Sequence, residues 1–304
     1  LRSPASTFKV IKRNGRDPTL KVAKPERWTG TAILNDRGKR GLAALWSLAR
    51  LASGPLQRYL ERKLEKEVLS GEVPVHVGII PDGNRRWARM KGMQEWLGHR
   101  EGYKRMKEVL VWLLDLNIKV VTVFAMSTEN CLKRSEEERE KLFELITKGL
   151  YELSEEKLVH ERRVKVNVFG EAEMWPEKLR KAAEHVMEVT KNYGDRVFNV
   201  AICYGGRQEI VRAVRQIAKE VKEGKLNPEE ISEETISSHL FTAGLPDPDL
   251  IIRTSGEERL SNFLLWQSAY SELYFVNSYW PEIRKLDILK AIRDYQRRQR
   301  RFGR

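Results

Sequence analysis

The chain is poor in cysteine: Cys131 and Cys203 are its two thiols among 304 residues, and they stand in unrelated segments. Their spacing offers neither a zinc-ligand pattern nor a disulfide framework, so a reducing interior is expected. Long apolar runs are missing as well. None approaches the roughly 20 residues of a membrane-spanning helix, and no signal peptide is visible at the N-terminus. A cytoplasmic protein with at most peripheral membrane contact is the expectation. There is no internal repeat, and no zinc-finger or RNA-recognition signature.

Charge is abundant. The 56 Lys and Arg against 43 Asp and Glu leave a net charge of +13, enriched at the two ends, Lys9 to Arg27 and Arg297 to Arg304. Such an excess suits anionic headgroups, nucleic acid or diphosphates. Without a nucleic-acid motif, no nucleic-acid partner is expected. A 41% apolar content is enough for a core, and the length fits one α/β domain with an extension.

Residues 1–40 are polar, basic and without sustained periodicity, and read as a loosely ordered arm. Leucines at helical spacing predict a helical lead-in over 41–70, interrupted near Gly54-Pro55. From 71 to 304 strand and helix patterns alternate. Strands are predicted near 75–80, 119–126, 164–169, 197–203, 249–253 and 272–276. Helices are predicted near 98–116, 135–160, 176–193, 206–224, 232–240, 261–269 and 286–300. That order predicts an α/β fold with a central, mostly parallel six-stranded sheet flanked by helices.

The most informative stretch is His76 to Arg89. An apolar strand is cut by Pro81, and Asp82-Gly83-Asn84 turns directly into a helix carrying Arg85 and Arg86 on its first turn. Backbone N–H groups and guanidiniums at a helix start suit an anion. A carboxylate just ahead of them would repel that anion unless a divalent cation lies between, as Mg²⁺ does between carboxylate and diphosphate. Alone, the stretch reads equally well as an ordinary turn with a solvated helix face. Three further strand ends shift the balance. One strand runs into Ser127-Thr128-Glu129-Asn130, another into Tyr204-Gly205-Gly206-Arg207. A third delivers Arg253, with Arg259 and Ser261 beyond a Ser-Gly turn. In open α/β sheets, ligands bind outside the carboxyl ends of the strands, where all four clusters fall. Arg253, a charge ending an Ile-Ile strand, needs a partner.

The blocks PDGNRRWA (81–88), GHREGYKRM (98–106), FAMSTEN (124–130), YGGRQEI (204–210) and DLIIRTSGEERLSNFLLWQSAYSELYF (249–275) resemble those of the cis-prenyltransferases, the family of undecaprenyl and dehydrodolichyl diphosphate synthases. The resemblance covers about 72–303, and no DDxxD pattern of the trans-prenyltransferases appears. It implies repeated condensation of isopentenyl diphosphate onto an allylic diphosphate, farnesyl or geranylgeranyl, by a Mg²⁺-dependent homodimer with a hydrophobic product tunnel. The product implied is a long polyprenyl precursor of a glycosyl carrier lipid. Asp82 matches the essential aspartate and a Mg²⁺ ligand, with Glu272 the second carboxylate. Gly83, Asn84, Arg85, Arg86, Trp87 and His99 match the allylic diphosphate site, with Trp87 expected to pack the strand–helix junction. Arg253, Arg259 and Ser261 match the isopentenyl diphosphate clamp. Arg301 and Gly303 match a tail that reaches the partner's site. Ser127, Thr128, Glu129 and Asn130 match the loop between the substrates, with Asn84 and Asn130 joining Asp82 as catalytic residues.

Glu95, Cys131 and Glu258 depart from the bacterial pattern of Arg, Trp and His, and Arg89 or Arg100 is expected to replace the missing arginine. Leu110, Leu114, Phe143, Ile146, Leu150 and Leu153 are the expected tunnel walls. Two alternatives stand beside this reading: prenyl transfer to a different acceptor, and a non-catalytic subunit of a heteromer. Asp82 disfavours the second.

Overall fold

The computed structural model describes residues 58–298. The basic arm, the first part of the lead-in, and Arg301 and Gly303 lie outside them. A helix over 58–69, here α1, buries Leu64 and Val68. It is tied to the last helix by Gln296, whose Nε2 donates to the Val68 carbonyl at 2.8 Å.

Six strands follow: β1 (His76–Ile80), β2 (Val120–Ser127), β3 (Val164–Phe169), β4 (Arg196–Tyr204), β5 (Leu250–Arg253) and β6 (Glu272–Phe275). They form one sheet in the order β3-β4-β2-β1-β5-β6, and every pairing is parallel. Parallel strands covered on both faces read as nearly unbroken apolar runs, which is why β1 is buried at every position. The chain leaves β1 toward β2 on one side and returns to β5 on the other. β1 therefore lies where the winding direction switches, and crevices open at its carboxyl end.

The helices are α2 (Asn84–Met90), α3 (Glu95–Asp115), α4 (Thr128–Lys133), α5 (Glu136–Glu155), α6 (Lys157–Glu161), α7 (Glu177–Thr190), α8 (Gly206–Lys222), α9 (Glu233–Ser237) and α10 (Lys285–Arg297). Two departures from the predicted pattern stand out. The helix expected over 135–160 breaks at Glu156, which has an extended backbone. The helix expected over 261–269 is a series of turns. Ser261, Asn262 and Leu264 there take positive φ values of 51°, 69° and 44°, which no helix accepts.

On one face of the sheet a buried polar row crosses four strands. His76 Nδ1 lies 2.7 Å from the Pro246 carbonyl and Nε2 lies 2.8 Å from Thr122 Oγ1. A carbonyl only accepts, so the proton sits on Nδ1 and Thr122 donates to Nε2. Thr122 in turn accepts from Asn199, which accepts from Asn167, each at 2.9 Å. A one-residue slip of any strand would break this chain, so the row fixes register. Burial pushes the His76 imidazole down to about 4 and keeps it neutral.

On the other face Val121, Val123 and Ala125 of β2 meet α3 and α5 across a cavity of about 270 Å³. Leu110, Leu114, Ile146, Leu150 and Leu153, named from sequence as tunnel walls, are among the residues that line this cavity. Phe143 packs into the buried core and is not among the lining residues. Asn84 and His99 belong to the lining near the carboxyl ends of the strands, while Lys119 and Arg196 belong to it at the amino ends of β2 and β4.

The two cysteines are joined: Cys131 on α4 and Cys203 near the end of β4 form a disulfide across a sequence separation of 72. This corrects the expectation of unlinked thiols, and with it goes their argument for a reducing interior. The spacing gave no sign of the pair because β2 and β4, far apart in sequence, are neighbours whose ends lie side by side, with Ser127 opposite Tyr204. Among the described residues no helix is long and apolar enough to cross a membrane.

Candidate functional site at the carboxyl ends of the strands

After β1 the chain must turn at once into α2. Gly83 makes this turn with φ 97°, and a Cβ there would lie 2.6 Å from the Tyr279 ring and 2.9 Å from Ser255. Both conformation and space demand glycine. α2 settles against α3 over Gly98 and Gly102, where added Cβ atoms would meet the Asn84 carbonyl and Asn84 Oδ1 at 2.1 Å each. Because α2 spans only seven residues, its dipole is short. An anion placed here would meet guanidinium groups more than the helix start.

Asp82 sits at the junction of β1 and β5. Arg253 Nη2 donates to its Oδ2 at 2.8 Å, the Gly83 N–H donates to Oδ1 at 2.6 Å, and Arg86 Nη2 is 3.4 Å from Oδ1. Thr254 Oγ1 fixes the backbone by donating to the Asp82 carbonyl at 2.7 Å and accepting from its N–H at 2.9 Å. Burial pushes the carboxyl upward. The hydrogen bond and charge of Arg253, with the charge of Arg86, outweigh that and hold it below the usual carboxylate range. Asp82 is therefore ionised at neutral pH.

Arg253 is 4% exposed. Besides Asp82 it donates to Ser261 Oγ at 2.7 Å and to the Arg259 carbonyl, so strand β5 and the turns beyond it close around one guanidinium. The partner that the sequence demanded is Asp82. Arg86 extends the array by donating to Glu257 Oε1 and Ser255 Oγ at 2.7 Å each, and Arg259 donates to the other Glu257 oxygen. The result is an alternating series, Arg253–Asp82–Arg86–Glu257–Arg259. Arg86, assigned from sequence to the allylic site, is grouped here with the residues that the resemblance assigns to the isopentenyl diphosphate clamp.

A second charged group lies over α2, α3 and α5. Arg85 Nη1 is 3.6 Å from Glu95 and 3.7 Å from Glu138, and Arg89 donates to Glu95 at 2.5 Å. Arg134 donates to Glu138 at 2.5 Å and lies 3.0 Å from His99 Nε2. An arginine only donates, so Nε2 is the acceptor and Nδ1 carries the proton. Burial, with the charges of Arg134 and Arg85, pushes His99 down to about 3 and leaves it neutral. Of the two arginines expected to stand in for the missing one, Arg89 is bound to Glu95. Arg100 stacks over Trp96 with 5.5 Å from its guanidinium carbon to the ring centroid. Arg134, which nothing in the sequence distinguishes from the many basic residues around it, is the cation placed beside His99.

Asn84 donates to the Pro81 carbonyl at 3.0 Å, while its Oδ1 is buried without a partner. Trp87 is half-buried with Lys91 6.0 Å over its ring. Ser127 caps α4 by accepting from the Asn130 N–H at 3.1 Å, and Thr128 donates to the Cys203 carbonyl at 2.9 Å. Glu129 accepts from Asn262 at 3.0 Å. Glu258 is exposed.

Glu272 stands apart. It opens β6 opposite Leu250, whereas Arg253 lies opposite Phe275, about 10 Å further along the strand. It is bonded to Arg298. Asp82 and Glu272 are not brought together within one chain.

A sequence profile described as "Putative undecaprenyl diphosphate synthase" matches residues 80–303. The chain belongs to the cis-prenyltransferase family. It is a transferase similar to a tritrans,polycis-undecaprenyl-diphosphate synthase (geranylgeranyl-diphosphate specific) of Methanopyrus kandleri, 52% identical over 88% of this chain and 98% of the relative. A protein of the same name from Thermoplasma volcanium is 52% identical over 80% and 95%. Among solved structures, lavandulyl diphosphate synthase from Lavandula x intermedia, in complex with dimethylallyl diphosphate, superposes with a TM-score of 0.73. It is 36% identical, over 76% of this chain and 99% of that one. A probable undecaprenyl diphosphate synthase from Campylobacter jejuni gives a TM-score of 0.62 at 34% identity, over 77% and 99%.

Proposed function

We propose that the protein condenses isopentenyl diphosphate repeatedly onto an allylic diphosphate, each new double bond cis, to give a long-chain polyprenyl diphosphate. The observation that carries this reading is the apolar cavity whose lining includes Asn84 and His99, with arginine-rich groups beside both. A diphosphate held by Arg85, Arg134 and His99 would lay its isoprenoid chain between β2, α3 and α5. The names of the archaeal relatives favour geranylgeranyl diphosphate as the primer over farnesyl diphosphate.

In the reaction the allylic C–O bond breaks and diphosphate departs. The double bond of isopentenyl diphosphate attacks the allylic carbon, and a proton is then lost from the new unit. Arg85 and Arg134 would stabilise charge growing on the leaving oxygens, and neutral His99 would donate from Nδ1 without adding charge. Arg253, Arg259 and Ser261 would hold the second diphosphate, for which the guanidinium fork is suited. Each isoprene unit moved into the cavity gains roughly 2–4 kcal/mol of apolar burial, so elongation is downhill.

A Mg²⁺ ion fits the residues present. Asp82 is one ionised carboxylate beside the arginines, and Mg²⁺ takes one or two carboxylates with substrate phosphates and water. When bound, it would screen Asp82 from diphosphate and take up leaving charge. Glu272, at the far end of its strand, would join that set only from a second copy of the chain, consistent with the homodimer proposed from the resemblance. Comparing kcat/KM for dimethylallyl, farnesyl and geranylgeranyl diphosphates tests the primer assignment. Preference for geranylgeranyl diphosphate supports it, and preference for farnesyl or dimethylallyl diphosphate overturns it.

A further inference from the structure

Glu129, on the segment between the two substrate groups, reaches across to Asn262, which belongs to neither diphosphate site. Asn262 Nδ2 donates to Glu129 Oε1 and to Gln208 Oε1, each at 3.0 Å. Its Oδ1 accepts the Arg207 N–H at 2.8 Å, and its backbone carbonyl accepts the Gly206 N–H at 2.7 Å. The amide orientation is fixed by its surroundings, because a backbone N–H must face the oxygen and two acceptors must face the nitrogen. Space has been left for this amide. A Cβ on Gly205 would lie 2.6 Å from Asn262 Nδ2 and 2.3 Å from Gln208 Oε1. The backbone also bends to present it: Asn262 has φ 69° and its neighbour Ser261 φ 51°. Positive φ in non-glycine residues persists where surrounding contacts over-determine it, and such positions cluster at functional sites.

Asn262 thus joins three strand ends at one side chain. Glu129 follows β2, Gly206 to Gln208 follow β4, and Ser261, bonded to Arg253 at the end of β5, is its covalent neighbour. We infer that Asn262 is a positioning residue for condensation, holding Glu129 and the 127–130 segment in register with the Arg253–Ser261 clamp so that the two substrates meet in reactive alignment. The inference rests on the proposed condensation. Its physical basis is that small misplacements of reacting atoms lower rate steeply while leaving binding nearly intact.

Two variants test it. Asn262→Gly keeps the left-handed backbone without strain and removes the amide. It is expected to lower kcat at least 10-fold with KM for both diphosphates within 3-fold, and to speed amide exchange at 128–133 at least 10-fold. Asn262→Asp keeps the shape but sets a carboxylate against Glu129. Two carboxylates in contact raise the pKa of one, so its kcat should recover as pH falls from 8 to 6, unlike that of the unaltered protein. With kcat expressed per folded molecule, counted by circular dichroism at each pH, a merely structural role would not produce that recovery. A folded Asn262→Gly protein with kcat within 2-fold of the original, a rise in KM that matches the whole loss, or an Asn262→Asp profile parallel to the original would each overturn the inference. Loss of folding in both variants would also overturn it, by assigning Asn262 to the fold alone. Failure of the unaltered protein to form any product would defeat the proposed reaction instead, and the exchange rates would still decide whether Asn262 holds the 128–133 segment.

Discussion

Replacing Asp82 with alanine should change the response to Mg²⁺ as well as the rate. In the free protein Asp82 accepts from Arg253 at 2.8 Å and lies 3.4 Å from Arg86. Removing it leaves the buried Arg253 guanidinium with Ser261 and a carbonyl as its remaining partners. Leaving this guanidinium without its charged acceptor costs about 1–3 kcal/mol of stability, because the Asp82 side of the pair is partly open to solvent. The same change frees two arginines for an anion. A carboxylate facing a phosphate at about 4 Å carries roughly 4 kcal/mol of repulsion per charge pair near a protein surface, of which Arg253 and Arg86 already offset a part. If about 1.4 kcal/mol survives that offset, inorganic diphosphate should bind Asp82→Ala about 10-fold tighter than the unaltered protein in metal-free buffer. Adding Mg²⁺ should tighten binding to the unaltered protein and leave the variant nearly unchanged. Turnover in Mg²⁺ should fall at least 100-fold, about 2.7 kcal/mol. Calorimetric titration of diphosphate with and without Mg²⁺, beside a turnover assay, reads all of this. A variant that still gains affinity from Mg²⁺ and turns over normally would refute the assignment of Asp82.

Arg259→Ala should raise KM for isopentenyl diphosphate far more than for the allylic primer without loss of stability, because its side chain is 60% exposed. Arg253→Ala should do both, since it is buried; equal KM effects on the two substrates would mean the sites are assigned the wrong way round. Acid should destabilise the fold through His76, whose folded pKa of about 4 lies below its ordinary value of 6.5. The unfolded chain then binds more protons, so stability is full above pH 6.5 and falls by about 3 kcal/mol as pH drops to 4. Chemical denaturation across that window should show the slope, to which His99, held at about 3, also contributes, and His76→Gln should reduce it by the His76 share; an unchanged slope in the variant removes His76 as one of its sources. Reduction of Cys131–Cys203, or Cys131→Ser, should cost about 4 kcal/mol for a loop closed over 72 residues. Unfolding curves that coincide with and without reductant would show that the bond contributes nothing.

Much of the fold was legible because buried parallel strands announce themselves as apolar runs. All six fall within a few residues of their expected places, and Arg253 at the end of Ile251-Ile252 demanded a partner that proved to be Asp82. What was not legible depends on neighbours set by topology. The disulfide needs β2 beside β4, which spacing does not show. Residues 261–269 have a helix-like apolar pattern, yet Ser261 and Asn262 are bent to satisfy Arg253 and the Gly206 N–H. Tertiary hydrogen bonds there override local propensity. Arg134 and Glu257 carry no sequence mark that separates them from the many charges around them. Their importance appears only when His99 and Arg86 are seen beside them.

We propose cis elongation between a diphosphate held by Arg85, Arg134 and His99 and a second held by Arg253, Arg259 and Ser261. The measurement that meets it most directly is incubation of the protein with labelled isopentenyl diphosphate, geranylgeranyl diphosphate and Mg²⁺, followed by sizing of the products and determination of their double-bond geometry. The expected product is a ladder of successive additions ending in a long chain, with every added unit cis. No incorporation, a single addition that goes no further, or trans units in the product would contradict it.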